Sequence, residues 1–123
     1  MNGQNKPNKT GLTRLLRAVA CSRQGFRYIW RSEEAFRQEV LLCIFFIPLG
    51  FFSGNGGTEQ ALLIGSILLI PLVEVLNTAI ECTIDRIGPE FHELSGHAKD
   101  LGSSAVLLSI CITVVVWGLV LWP

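Results

Sequence analysis

Residues 74–86 read EVLNTAIECTIDR and close a helix-length apolar run that opens at Ala61 as ALLIGSILLIPLV. A helix turns 100° per residue, so Glu74, Asn77, Thr78, Glu81 and Asp85 fall within a wedge of about 100°. Five polar residues share one face of a segment otherwise suited to lipid. An acid at the centre of a bilayer costs roughly 2.5 to 3.5 kcal/mol, whereas a leucine or isoleucine returns only about 0.3 to 0.6. That face cannot look at hydrocarbon. If the span enters at Ala61, a core about 30 Å thick is used up near Ile80. Glu81 and Asp85 then reach the interface, and Glu74 sits about 10 Å deeper along the axis. Burial without a cation suits Glu74 to accept a proton, while a wet carboxylate at the boundary suits Mg²⁺.

The rest of the chain fits a membrane protein. Half of the 123 residues are hydrophobic, and the mean hydropathy is +0.46. Leu101 to Trp122 carries no charge and is long enough to cross a bilayer. Val40 to Phe52 is shorter and needs Ala35 to Glu39 to reach the required length. The expected organisation is one domain over 1–123, all α-helical, with a surface helix over 10–31 and spans over 33–53, 60–84 and 99–122.

Formal net charge is zero, yet eight of the ten Lys and Arg residues lie between Lys6 and Arg37, and Arg86 and Lys99 flank the second connection. The first connection, SGNGGTEQ, has none. Basic residues stay on the cytoplasmic side, so three spans with a cytoplasmic N-terminus and a periplasmic C-terminus satisfy every one of them. Topology accounts for the basic residues, and nucleic acid is not expected as a partner. The polar, basic first 39 residues contain no apolar run of their own, and no cleavable signal peptide is expected.

MNGQNKPNKTG reads as a loose tail. Beyond it Leu12, Leu15, Leu16 and Val19 recur at helical spacing between Arg14 and Arg17, and Phe26, Ile29 and Trp30 interleave with Arg23, Arg27 and Arg31. This is the pattern of a helix lying on a membrane surface, with a partner-bound cytosolic helix as the alternative. Ser32 reads as an N-cap with Glu33 and Glu34 in the first turn of the first span. Pro48 and Pro71 lie inside spans, where neighbouring helices can re-satisfy the carbonyls they free. IGPEFHELSGHAKD forms the second connection and leads into the third helix near Lys99.

The four cysteines have no metal-ligand spacing. His92 and His97 are about 140° apart on a helix and do not make a zinc pair. Asn77 and Thr78 could serve as interhelical hydrogen-bond glue, Glu33 and Asp100 as dipole-favoured N-terminal residues, and Asp85 and Arg86 as interfacial charges. Glu74, an intramembrane acid, reads as functional. Three spans enclose little polar space, so the acidic face is expected to meet another subunit of a homo-oligomer.

Two function classes survive. The acids could form a proton or cation path through an oligomer, or an enzyme site acting on a lipid headgroup with a metal and a water-soluble cosubstrate. Clustering of Glu33, Glu81, Asp85, Glu90, Lys99 and Asp100 at one end favours the enzyme, since the opposite halves of the spans carry almost no polar groups. No phosphate-binding glycine loop is present, so the residues alone do not name ATP.

EVLNTAIECTIDR and HELSGHAKDLGSSAVL, with TGLTRLLRA and W-x-x-E-x-AFRQE before them, resemble the bacterial integral-membrane diacylglycerol kinase family from about Thr10 to Trp122. The resemblance implies a homotrimer of the inner membrane with active sites between subunits. It implies transfer of the ATP γ-phosphate to the hydroxyl of diacylglycerol, giving phosphatidic acid in lipid recycling. Glu74 would be the general base with Asn77 beside it, and Glu33 and Glu81 would hold Mg²⁺. Arg14, Cys21, Glu90, His92, Lys99 and Asp100 match nucleotide-contacting positions. Arg27, Trp30, Ala35, Glu39, Ser103, Trp117 and Trp122 match the lipid-substrate lining. Cys21 stands where the family pattern has an aromatic and His97 where it has an arginine, which bears on phosphate binding and its pH dependence. Undecaprenol kinase, the same fold and chemistry on a polyprenyl alcohol, is the alternative; the loop DRIGPEFHELSG favours diacylglycerol.

Overall fold

A computed structural model describes residues 10–122. Among them are four helices and no strand: α1 (Gly11–Ser32), α2 (Glu34–Ser53), α3 (Gly57–Ile87) and α4 (Glu93–Leu121). The expected loose tail lies outside the described residues except for its last two. The chain divides between Ser32 and Glu33 into two units. In the first, α1 carries Leu12, Leu15, Leu16, Val19 and Phe26 as exposed apolar residues.

The second unit holds three helices long and apolar enough to cross a membrane, α2, α3 and α4. At about 1.5 Å per residue, the 20 residues of α2 match a core of about 30 Å, whereas the 31 of α3 exceed it by about 15 Å. The α2–α3 connection is tight. Gly54 N–H donates to Gly50 O, Asn55 N–H donates to Glu59 Oε2 at 2.8 Å, and Gly56 turns the chain at φ 90, where a side chain would be strained. Because that loop pins one end of α3 level with α2, the surplus length emerges at the other end, beyond Asn77. There Glu81 and Asp85 stand clear of the apolar zone.

Packing runs in antiparallel register along both faces of α3. On the α2 side, Gln60 Nε2 donates to Phe51 O and Cys43 Sγ donates to Ile67 O at 3.8 Å. On the α4 side, Trp117 Nε1 donates to Leu63 O at 3.2 Å and Thr113 Oγ1 to Ser66 O at 2.8 Å. Leu63, at 0% exposure, is the apolar centre of this packing. Both prolines sit in continuous helix, as the sequence leads one to expect. Pro71 has no N–H for Ile67 O four residues earlier, and the Cys43 thiol supplies the missing donor.

Two details differ from the sequence reading. Ser32 is the last residue of α1, and the N-cap of α2 is Glu33, extended at φ −119 and ψ 111 with no side-chain cap bond. The third long helix starts at Glu93, well before Lys99, because His92 Nδ1 accepts the Leu94 N–H and caps it. Within one chain, Glu74, Asn77 and Thr78 of the acidic face are 7%, 8% and 4% exposed.

Candidate active site

The buried end of the polar face is built by all three long helices. Glu74 on α3 is hydrogen-bonded to the carboxyl group of Glu39 on α2. The register set by the short α2–α3 loop brings these two acids opposite one another. One turn on, Asn77 faces Gly102 of α4 so closely that a Cβ added to the glycine would fall on Asn77 Oδ1. Glu39 Oε2, Asn77 Oδ1 and Thr78 Oγ1 are buried without hydrogen-bond partners among the described residues. Native structures leave few buried polar atoms unpaired, and these three belong to the polar face and to the Glu39 carboxyl group beside it.

Glu33 and Glu81 lie near enough for their charges to act on the Glu74 carboxyl group. Glu39, Glu33 and Glu81 thus all act on the Glu74 carboxyl group. Glu81 is half-buried and Asp85 exposed, so the face passes from enclosed to wet along α3. Lys99 Nζ donates to Asp85 Oδ1 at 2.7 Å, which keeps the lysine at the rim of the cluster. Asp100 is exposed one residue further along α4. Glu90 and His92 lie in the α3–α4 connection, where they line a hollow that also includes Asp85 and Lys99.

Carboxylates make a hard oxygen donor set, the kind Mg²⁺ prefers. Among the described residues no group of three or more His, Cys, Asp or Glu is arranged to enclose a metal. Mg²⁺ is ordinarily held by one or two carboxylates with water and phosphate oxygens completing the shell.

An apolar cavity of about 320 Å³ adjoins the acid pair. Glu39 is part of its lining, with Cys43 and Phe46 of α2, Ile67 of α3, and Ile110 and Trp117 of α4. Phe46 and Trp117 meet edge to face at 5.5 Å. Trp117 therefore belongs to the cavity, though it packs at the Leu63 end of the bundle. Trp122 caps the far end of α4, about 30 Å along the axis from Gly102, and the structure does not bring it to the acids. Ala35 and Ser103 are exposed on α2 and α4. Arg14, Cys21, Arg27 and Trp30 are exposed on α1.

The close approach of Gly102 to Asn77 and the pairing of Asp85 with Lys99 are absent from the sequence reading, as is the pairing of Glu39 with Glu74. The helix-period pattern holds no signal for any of them, since each depends on how α2 or α4 is set against α3.

An all-helical protein with three membrane-length helices and a buried carboxyl cluster beside an apolar cavity is a membrane protein equipped for chemistry on something lipid-soluble. Comparison with known sequences says which. The prokaryotic diacylglycerol kinase family matches residues 20–121. A diacylglycerol kinase of Escherichia coli (strain K12) is 44% identical over 115 residues, covering 94% of both chains. One from Haemophilus influenzae is 47% identical over 113 residues, 92% of this chain and 96% of its own. One from Helicobacter pylori is 38% identical over 112 residues, 91% of this chain and 88% of its own. The chain belongs to the prokaryotic diacylglycerol kinase family.

Proposed function

We propose that this protein transfers the γ-phosphate of ATP to the hydroxyl of diacylglycerol, producing phosphatidic acid at the cytoplasmic face of the bacterial inner membrane. Beyond family membership, one observation carries the reading: Glu39, whose carboxyl group is paired with that of the buried Glu74, lines an apolar hollow between the membrane-length helices. A soluble substrate has no use for such a cavity. A lipid that must bring a hydroxyl to a base while keeping its chains in hydrocarbon does.

In this reading Glu74 accepts the hydroxyl proton as the lipid oxygen attacks the γ-phosphorus. The new bond is lipid oxygen to phosphorus, the bond broken is γ-phosphorus to bridging oxygen, and ADP leaves. Phosphoryl transfer depends mostly on in-line positioning and on neutralising phosphate charge. Glu33 and Glu81 would hold Mg²⁺, which when bound neutralises and orients the nucleotide phosphates. Lys99, kept at the rim by Asp85, adds a cation, and Asp100, Glu90 and His92 complete the nucleotide side. Asn77 serves the base, and Glu39, Ala35, Ser103 and Trp117 form the lipid side. The step in depth between Glu74 and Glu81 matches the step between a membrane-bound hydroxyl and a water-borne nucleotide.

Assembly as a homotrimer with sites completed between subunits is part of the same proposal. Glu74 and Asn77 are enclosed by their own chain, while Glu81, Asp85 and Lys99 retain open surface for a neighbour.

The experiment is transfer of labelled phosphate from ATP in detergent micelles with Mg²⁺, offering diacylglycerol and undecaprenol separately. Product mainly from diacylglycerol is expected. Preference for undecaprenol would move the protein to polyprenyl alcohols, and transfer to neither would overturn the kinase reading and revive that of an ion path.

A further inference from the structure

We infer that Gly102 is a positioning residue for the transfer reaction, acting through Asn77. The inference rests on the reading of Asn77 as part of the active site. Gly102 is buried in α4, and the space where its side chain would be is taken by the Asn77 amide: an ideal Cβ would meet Asn77 Cγ at 3.2 Å and would overlap Oδ1 outright. The amide itself is 8% exposed, and Oδ1 has no hydrogen-bond partner.

These facts fix which way the amide faces. With Oδ1 against Gly102, the oxygen rests on Cα–H, a weak but favourable contact. The opposite orientation would press two N–H donors onto a carbon and leave both unsatisfied, a worse arrangement. Gly102 therefore holds the oxygen inward and leaves the two N–H donors for the polar face that Asn77 shares with Glu74, where a substrate oxygen can accept them. Any larger residue at 102 must push the amide out of this seat. Helix propensity gives no reason for the glycine, since alanine is the better residue in a helix interior. Among the described glycines of the long helices, Gly65, Gly96 and Gly118 have nothing within 4 Å of a would-be Cβ. The restriction at 102 comes from Asn77.

The test is a double-mutant cycle on the full chain in micelles: G102A, N77A and the pair, with kcat and the KM for ATP measured alongside thermal unfolding. G102A is expected to lower kcat about tenfold to a hundredfold with KM little changed, as misplacement of an active-site group does. In the N77A background the same change should cost less than about twofold, because its only route of action is already gone. Losses that multiply in the double variant, or a G102A effect confined to KM, would overturn the inference. Should N77A alone keep full activity, the assignment of Asn77 to the site falls, and the role of Gly102 with it. If G102A does not fold, the pair decides: recovery of folding with the activity of N77A supports the contact, and continued failure makes Gly102 a packing residue independent of Asn77.

Discussion

Glu39 on α2 and Glu74 on α3 share a hydrogen bond between their carboxyl groups, inside the part of the bundle that is otherwise apolar. A bond of this kind requires that one of the two supply a proton, so the pair works as a unit and each acid orients the other. Glu39→Gln keeps a donor for Glu74, and its kcat is expected to stay within about tenfold of the parent. Glu39→Leu leaves Glu74 without its partner and should cost about a hundredfold. Measuring both variants against thermal midpoints checks the claim, and equal losses would reduce Glu39 to a space-filling role.

If Glu74 is the proposed proton acceptor, Glu74→Gln removes that acceptor while preserving shape. The expected outcome is a fall in kcat of about 10² to 10⁴ with little change in thermal stability. A protein that unfolds readily yet keeps substantial activity would make Glu74 structural.

The sequence carries the three spans and the acidic wedge plainly, because desolvation leaves no alternative: charges at that depth must share a face and be covered. What covers them is not legible. Within one chain Glu74 and Asn77 are enclosed by α2 and α4, through contacts that depend on how the three long helices are set against one another. Pairings such as Glu39 with Glu74, or Asp85 with Lys99, follow from loop length and helix register, and periodicity within one helix is blind to both. Ser32 illustrates a local failure of the same kind. A serine before two glutamates has the composition of a cap, but α1 continues through it and the break falls at Glu33.

Glu33 and Glu81 are proposed to hold Mg²⁺ on the basis of their donor chemistry and of the influence both charges have on Glu74. Glu81→Gln and Glu33→Gln should each raise the Mg²⁺ concentration needed for half-maximal activity, by about tenfold or more, since a neutral amide is a poorer ligand for a hard cation. Titrating Mg²⁺ at saturating ATP provides the check. A variant with the parent's metal dependence would be excluded as a ligand.

Cys43 and Pro71 form a compensated defect in the helix pair. Pro71 lacks the N–H that Ile67 O would otherwise accept, and Cys43 Sγ points at that carbonyl from α2. Within hydrocarbon an unpaired carbonyl has no water to turn to, so the thiol contributes although it is a weak donor. Interhelical hydrogen bonds in membranes average about 0.6 kcal/mol, and Cys43→Val is expected to lower stability by about that amount. Pro71→Ala returns the backbone N–H to Ile67 O and makes the thiol redundant. In that background Cys43→Val should have almost no effect on stability, measured by unfolding in mixed micelles. A loss of the same size in both backgrounds would show that Cys43 contributes by packing alone, and that the Ile67 carbonyl gains nothing from it.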